Sequence, residues 1–157
     1  MRLPDERVVE VLNDVLTAEL TSINQYFVDA KMAGNWGYER LAKHFHDESI
    51  DEMKDADSLI ERILYLEGIP NLQRLGTVRV GETIAEKFSL ALELERDSIN
   101  RLNTGIATCL ARGDNGTREL LEHILEGEED HADWLETQQE LINQVGEALY
   151  LAEQIHD

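Results

Sequence analysis

Apolar residues recur at spacings of three and four along four long stretches of the chain, the period of a helix with one buried face. The first stripe reads Val8, Leu12, Val15, Glu19, Ser22 or Ile23, Tyr26 and Ala30. The second reads Leu41, Phe45, Glu48 or Ser49, Glu52, Asp55 or Ala56, Leu59, Ile63 and Leu66. In the third, Leu92-Glu93-Leu94-Glu95 offers two registers. Only that of Glu95 shares a face with Phe88, Leu92, Ile99, Leu102, Ile106 and Cys109 or Leu110, so Glu93 is expected to face solvent or a neighbouring subunit. The fourth reads Leu121, Ile124, Glu128, His131, Leu135, Gln138 and Ile142.

Helix boundaries follow from start and stop signals. Pro4 and Asp5 open the first helix, which is expected to run to about Lys31–Met32, where Ala33-Gly34-Asn35-Trp36-Gly37 breaks it. The second spans about Tyr38 to Glu67 and stops at Gly68-Ile69-Pro70. Residues 70–81 have no helical period. The third helix spans about Glu82 to Arg112, and Gly113-Asp114-Asn115-Gly116 is a turn. Thr117 is expected to cap the fourth helix, which ends near Val145; past Gly146, a short fifth helix covers about Glu147 to Ile155. The fold class predicted is all-α, one domain over residues 1–157, with a four-helix bundle over about 4–145. The long link must travel the length of the bundle, which makes the second and third helices parallel. Ferritin-like folds are the recognised example of this connectivity, and inward Glu-x-x-His motifs are a known feature of them.

Composition narrows the function. The formal net charge of -19 argues against a nucleic-acid ligand, which needs basic patches for its phosphates. No apolar run approaches the length of a membrane span, and MRLPDERVVE has no apolar secretory core, so a cytoplasmic location is expected. The single cysteine, Cys109, excludes an intrachain disulfide and a four-cysteine metal site, and its apolar helical context reads as a core thiol.

The chemistry lies in the stripes themselves. Glu19, Glu52, Glu95 and Glu128 each interrupt an apolar face near mid-helix, and Glu128-x-x-His131 adds an imidazole one turn on. A single inward glutamate is usually a satisfied core group. Four at one level of one bundle, with too few inward Lys or Arg to pair them, point to a metal site. Oxygen ligands with imidazole suit iron, manganese or zinc.

These residues resemble bacterioferritin from Arg2 to about Gln154. The resemblance rests on Glu19-Leu20 with Ile23-Asn24-Gln25-Tyr26-Phe27, on Glu48-Ser49-Ile50-Asp51-Glu52-Met53-Lys54, on Leu66-Glu67-Gly68-Ile69-Pro70-Asn71-Leu72-Gln73, and on Glu128-Glu129-Asp130-His131-Ala132-Asp133-Trp134-Leu135-Glu136. It implies a 24-subunit shell built from dimers, a di-iron ferroxidase centre within each subunit, and haem b shared between two subunits. In the implied centre Glu19 and Glu95 are terminal ligands, Glu52 and Glu128 bridge, and His131 is one imidazole. The second imidazole falls on Asp55, a departure from the family pattern that adds a fifth carboxylate. Met53 matches the haem-binding methionine and lies, by helical phase, with His46, Ile50, Asp57 and Ile60 on another face from Glu52. The family's inner-surface iron site falls on Asp47 and Asp51 and is altered here. His44 and His46 read as surface residues, Trp36 and Trp134 as packing, and Tyr26 as a buried tyrosine near the centre with one hydrogen-bond partner.

The function implied is iron storage and detoxification, with Fe(II) oxidised by oxygen or peroxide and stored as ferric mineral. The rival is a haem-bearing structural shell subunit whose centre is impaired by Asp55 and which works with a second subunit type. A rubrerythrin-like peroxidase needs a Cys-x-x-Cys pair that a chain with one cysteine does not have.

Overall fold

A computed structural model describes residues 5–156. Its helices are α1 (Glu6–Asn35), α2 (Glu39–Tyr65), α3 (Ile84–Arg112), α4 (Asn115–Val145) and the short α5 (Glu147–Ala152). Pro4, read above as part of the first helix start, lies outside the described residues. Asp5 does cap α1, its carboxylate accepting the amides of Arg7 and Val8.

Several boundaries differ from expectation: α2 ends at Tyr65, two residues before Glu67, α3 starts at Ile84, two after Glu82, and three more differ at α1, α4 and α5. α1 continues to Asn35, because Gly34 is tolerated inside the helix and the chain turns only at Trp36-Gly37. The cap of α4 is Asp114, not Thr117: its Oδ1 accepts the Thr117 amide at 3.0 Å and its Oδ2 the Thr117 hydroxyl at 2.8 Å. Asp114 also holds Arg62 of α2 at 3.0 Å, so one carboxylate starts α4 and ties it to α2. α5 ends at Ala152, three residues short of Ile155. Gly113 ends α3 in the left-handed region at φ 70, where a residue without Cβ has no steric penalty.

Side-chain contacts fix the topology. Ala42 and Ser49 of α2 lie against Gly34 and Ile23 of α1, and Lys87 and Arg101 of α3 reach Asp29 and Asp14 of α1. As residue numbers rise on one helix they fall on the other, so α2 and α3 both run antiparallel to α1 and are parallel to each other, as the long link requires. The link lies against a polar ladder on α1. Asn13 pairs with Ile69 and Asn71, Thr17 with Arg74, Thr21 with the Gly76 amide, and Gln25 with the Arg79 amide. Four residues at i+4 spacing thus carry an otherwise aperiodic segment along the bundle. The next rung, Asp29, meets Lys87 of α3 at 2.9 Å with both side chains buried.

The core is in two halves. One holds Leu12, Leu16, Leu59, Ile63, Leu102 and Leu121, the other Tyr26, Phe45, Phe88, Leu92, Leu135 and Tyr150. Between them lies the layer of carboxylates.

Candidate metal centre

Each bundle helix delivers one glutamate to this layer. Glu19, Glu52, Glu95 and Glu128 are 0%, 3%, 0% and 2% exposed. Glu93, in the other register of α3, is exposed and pairs with Arg79 at 3.1 Å, as its phase predicts. Among the described residues the one buried lysine, Lys87, is committed to Asp29 and is not available to the glutamates.

Their oxygens are the central observation. Both carboxylate oxygens of Glu19 and of Glu128, and Oε2 of Glu52 and of Glu95, are buried without a hydrogen-bond donor. Apart from Glu95 Oε1, which meets Tyr26 and His131, these carboxyl groups are partners only for one another, and only if some carry protons. A buried ionised carboxylate without a donor costs several kcal/mol. Six such oxygens in one buried layer, with ligand atoms of Glu19, Glu52 and Glu128 close together, make a candidate cation site by their chemistry.

Electrostatics say the same. Burial, then the charge of Glu128, holds the Glu19 carboxyl well above its usual range. Burial, then Glu19 and Glu128, does so for Glu52, and burial, then Glu95, for Glu128. Glu95 is pushed by burial only to about 7, because hydrogen bonds from neighbours, Tyr26 among them, favour its charged form. These groups hold protons until something more positive replaces them.

The layer has two halves. Ligand atoms of Glu19, Glu52, Asp55 and Glu128 all lie within 4.8 Å of one another. On the other side, Glu95 Oε1 meets the Tyr26 hydroxyl at 2.5 Å and His131 Nδ1 at 2.8 Å. Asp55 therefore turns toward the glutamates. Burial and the neighbouring Glu19 raise its carboxyl to about 7.

The sequence matches the ferritin-like domain family over residues 9–145. It is 48% identical over 149 residues to bacterioferritin BfrA of Mycobacterium tuberculosis, covering 95% of this chain and 94% of that protein. It is 49% identical over 148 residues to the bacterioferritin of Streptomyces coelicolor (94% and 89% of the two chains) and 40% identical over 146 residues to that of Brucella melitensis (93% and 91%). The chain belongs to the bacterioferritin family.

In this bacterioferritin-family chain, Met53 stands 51% exposed on α2, with Ile50 exposed one turn before it and Phe27 exposed on the adjoining α1. An exposed thioether in an apolar helical patch is an unpacked soft donor.

His44 corrects the sequence reading. It is no surface residue: its ring stacks on Trp134 with centroids 3.5 Å apart and planes 12° from parallel, and its Nε2 lies 3.0 Å from His131 Nε2. Burial, then His131, lowers its pKa to about 3, so the ring is neutral. Glu48, named above only as an alternative stripe position, lies 3.5 Å from His131 Nδ1. The signal was present: His44, Glu48 and Glu52 follow one another at i+4 on one face of α2. His46 is exposed, as read. Asp47 is exposed and pairs with Lys43 at 2.8 Å, and Asp51 is also exposed.

A cavity of about 320 Å³ opens onto the layer between α2 and α4 and is lined by His44, Glu48, Asp51, Asp55, His131 and Trp134 among others. Gly127, at its rim, contributes no side chain to close it. No helix among the described residues is long and apolar enough to cross a membrane.

Proposed function

We propose that this protein stores and detoxifies iron as a cytoplasmic shell subunit, and that its carboxylate layer is a ferroxidase centre. The observation that carries the reading is the set of six buried glutamate oxygens without donors. Two Fe(II) are the substrates. One sits among Glu19, Glu52, Glu128 and Asp55, the other between Glu95 and His131, with Glu52 and Glu128 shared. Metal displaces the protons these carboxyl groups hold, and the four glutamates then balance two ferrous charges. Two ferrous ions together supply the two electrons and two protons are taken up when oxygen is reduced to hydrogen peroxide, or peroxide to water, so no one-electron oxygen radical need leave the site. The protein's part is to hold both ions, keep Glu95 oriented through Tyr26, and admit ions between α2 and α4.

The exposed apolar face of α1 and α2 fits a symmetric dimer, repeated into a closed shell. Haem b would be held there by Met53 of each of two chains, and when bound it supplies a one-electron redox centre. Light scattering should give a particle of about 430 kDa, the mass of 24 copies of the 17.9 kDa chain. A stable monomer at micromolar concentration rules the shell out.

A second reading is favoured by one residue. Asp55 puts a fifth carboxylate where the family resemblance implies an imidazole, and a haem-bearing structural subunit with an impaired centre, working beside a second subunit type, would tolerate it. Stopped-flow oxidation of Fe(II) by the pure homomer separates the two. Oxidation well above the protein-free rate, lost in Glu128→Gln, supports the ferroxidase; a rate equal to buffer supports the structural subunit.

A further inference from the structure

We propose a further divalent-metal position at the mouth of the α2–α4 cavity, formed by His44 Nε2, the Glu48 carboxylate and His131 Nε2, where an ion is received before it passes to the carboxylate layer. Ligand atoms of these three residues all lie within 4.8 Å of one another. The two ring nitrogens stand 3.0 Å apart. Two nitrogens bound about 2.1 Å from one ion stand about 3.0–3.4 Å apart, so the rings need little movement to share a metal. Stacking on Trp134 fixes the plane of His44 and aims its Nε2 at its partner. Glu48, one turn along α2, brings the charge that a divalent ion needs, and two imidazoles with one carboxylate suit first-row metals such as Fe(II), Co(II) or Zn(II).

The two ring nitrogens of His131 face different partners. His131 Nδ1 faces two carboxylates, Glu95 Oε1 at 2.8 Å and Glu48 Oε2 at 3.5 Å, which assigns its proton to Nδ1. Nε2 of His131 then carries the lone pair, and His44 Nε2 donates to it. An incoming ion takes the place of that shared hydrogen: His44 gives up its Nε2 proton and takes one at Nδ1, so the neutral ring turns its Nε2 lone pair to the ion. The inner position asks for the other nitrogen of the same ring. One imidazole can thus offer Nε2 to the outer ion and Nδ1 to the inner one, and the outer position, on the cavity that opens onto the layer, lies first on the way in. The inference rests on the ferroxidase reading only through His131, which both positions share.

The test uses the assembled protein and Co(II), which oxygen leaves unchanged. Crystals of the parent and of His44→Phe are soaked in cobalt chloride and mapped by anomalous scattering at the cobalt edge, and both proteins are titrated calorimetrically at micromolar concentration. Phe keeps a flat ring against Trp134 but offers no ligand atom. The expected result is a parent peak within bonding distance of His44 Nε2 and Glu48, absent in His44→Phe while peaks among Glu19, Glu52, Glu95 and Glu128 remain, with a loss of about one Co(II) per subunit in the titration. Glu48→Gln should weaken the same peak. A parent with no peak at His44, or a His44→Phe titration equal to the parent's, overturns the proposal. A peak at His44 with none among the glutamates would instead sink the dinuclear reading and leave this one standing.

Discussion

Tyr26 donates its phenolic hydrogen to Glu95 Oε1 across 2.5 Å, on the same oxygen that His131 Nδ1 approaches at 2.8 Å. Oε2 of Glu95 is left buried and without a donor. One oxygen is tethered and the other presented. Tyr26→Phe removes a hydrogen bond to a charged acceptor, worth about 1.5–3 kcal/mol, and frees the carboxylate to rotate. Fe(II) oxidation at equal loading should slow about tenfold, which needs only ~1.4 kcal/mol of barrier. Stopped-flow absorbance reads it, and an unchanged rate would show that the tether is not needed.

Lys87 and Asp29 form an ion pair at 2.9 Å with both side chains at or below 1% exposure. The lysine also touches Met32 Sδ and lies 5.3 Å from the Trp36 ring centroid. Lys87→Met should cost about 3–5 kcal/mol, because Asp29, which burial already raises to about 6, loses its partner and must either stay charged in the core or take up a proton to fold. Asp29→Asn combined with Lys87→Met should recover most of that. Denaturant unfolding of the three proteins tests both statements, and a double variant no better than the single would refute the charge explanation.

The metal-free protein should grow more stable as pH falls from about 8 to 6.5. Glu95 and Asp55 have folded-state values of about 7, and Glu19, Glu52 and Glu128 lie well above their usual range. In that window the folded chain takes up protons that the unfolded chain, with ordinary carboxyl groups, does not. Stability is therefore lost as pH rises through 7. Below 6.5 the trend is opposed by His44 and His131, which burial keeps neutral in the fold and which gain protons on unfolding. Bound Co(II) should flatten or reverse the slope, since it replaces the protons. Calorimetric melting across this range, with and without metal, gives the sign directly.

The stripes that predict the four helices also predict the centre, because a buried charge in an apolar period is visible in one dimension. Glu95 over Glu93 was decided by phase alone, and the fold agrees. The ladder of Asn13, Thr17, Thr21 and Gln25 was not foreseen. Its partners are mostly backbone groups of a segment with no period, so the pattern marks a polar stripe without saying what it holds. His44 was misread because helical phase places a residue on a face but says nothing of Trp134 on another helix, which covers it.

Met53→Leu should abolish haem binding and leave the shell intact. The side chain is 51% exposed and fills no part of the core, and Leu has a similar volume. The Soret band of protein expressed with added haem precursor reads the first effect, and light scattering the second. A variant with an unchanged haem spectrum would make Met53 a packing residue.

Asp55 decides how well the centre works. Its ligand atom falls within 4.8 Å of those of Glu19, Glu52 and Glu128, so it turns in and is not withdrawn to solvent. With all five carboxylates ionised the layer is one charge more negative than two Fe(II) can balance. The structure's answer is a proton: burial and Glu19 hold the Asp55 carboxyl near 7, so part of the population is neutral at physiological pH. Glu19, held well above its usual range, and Asp55 must both lose protons to bind the ion they share, whereas the other position needs only Glu95, at about 7, and the neutral His131 beside the shared glutamates, so the position of Glu95 and His131 should fill first. Asp55→His places an imidazole one turn from Glu52 and removes the surplus charge. It should oxidise Fe(II) about tenfold faster than the parent at equal loading. The parent's rate should rise with pH through about 7 as Asp55 ionises, and that component should vanish in the histidine variant. Stopped-flow traces of both proteins at pH 6 to 8 measure this. A slower variant, or a parent with both iron positions filled in crystals soaked anaerobically with Fe(II), would show Asp55 to be a competent ligand that tunes the centre.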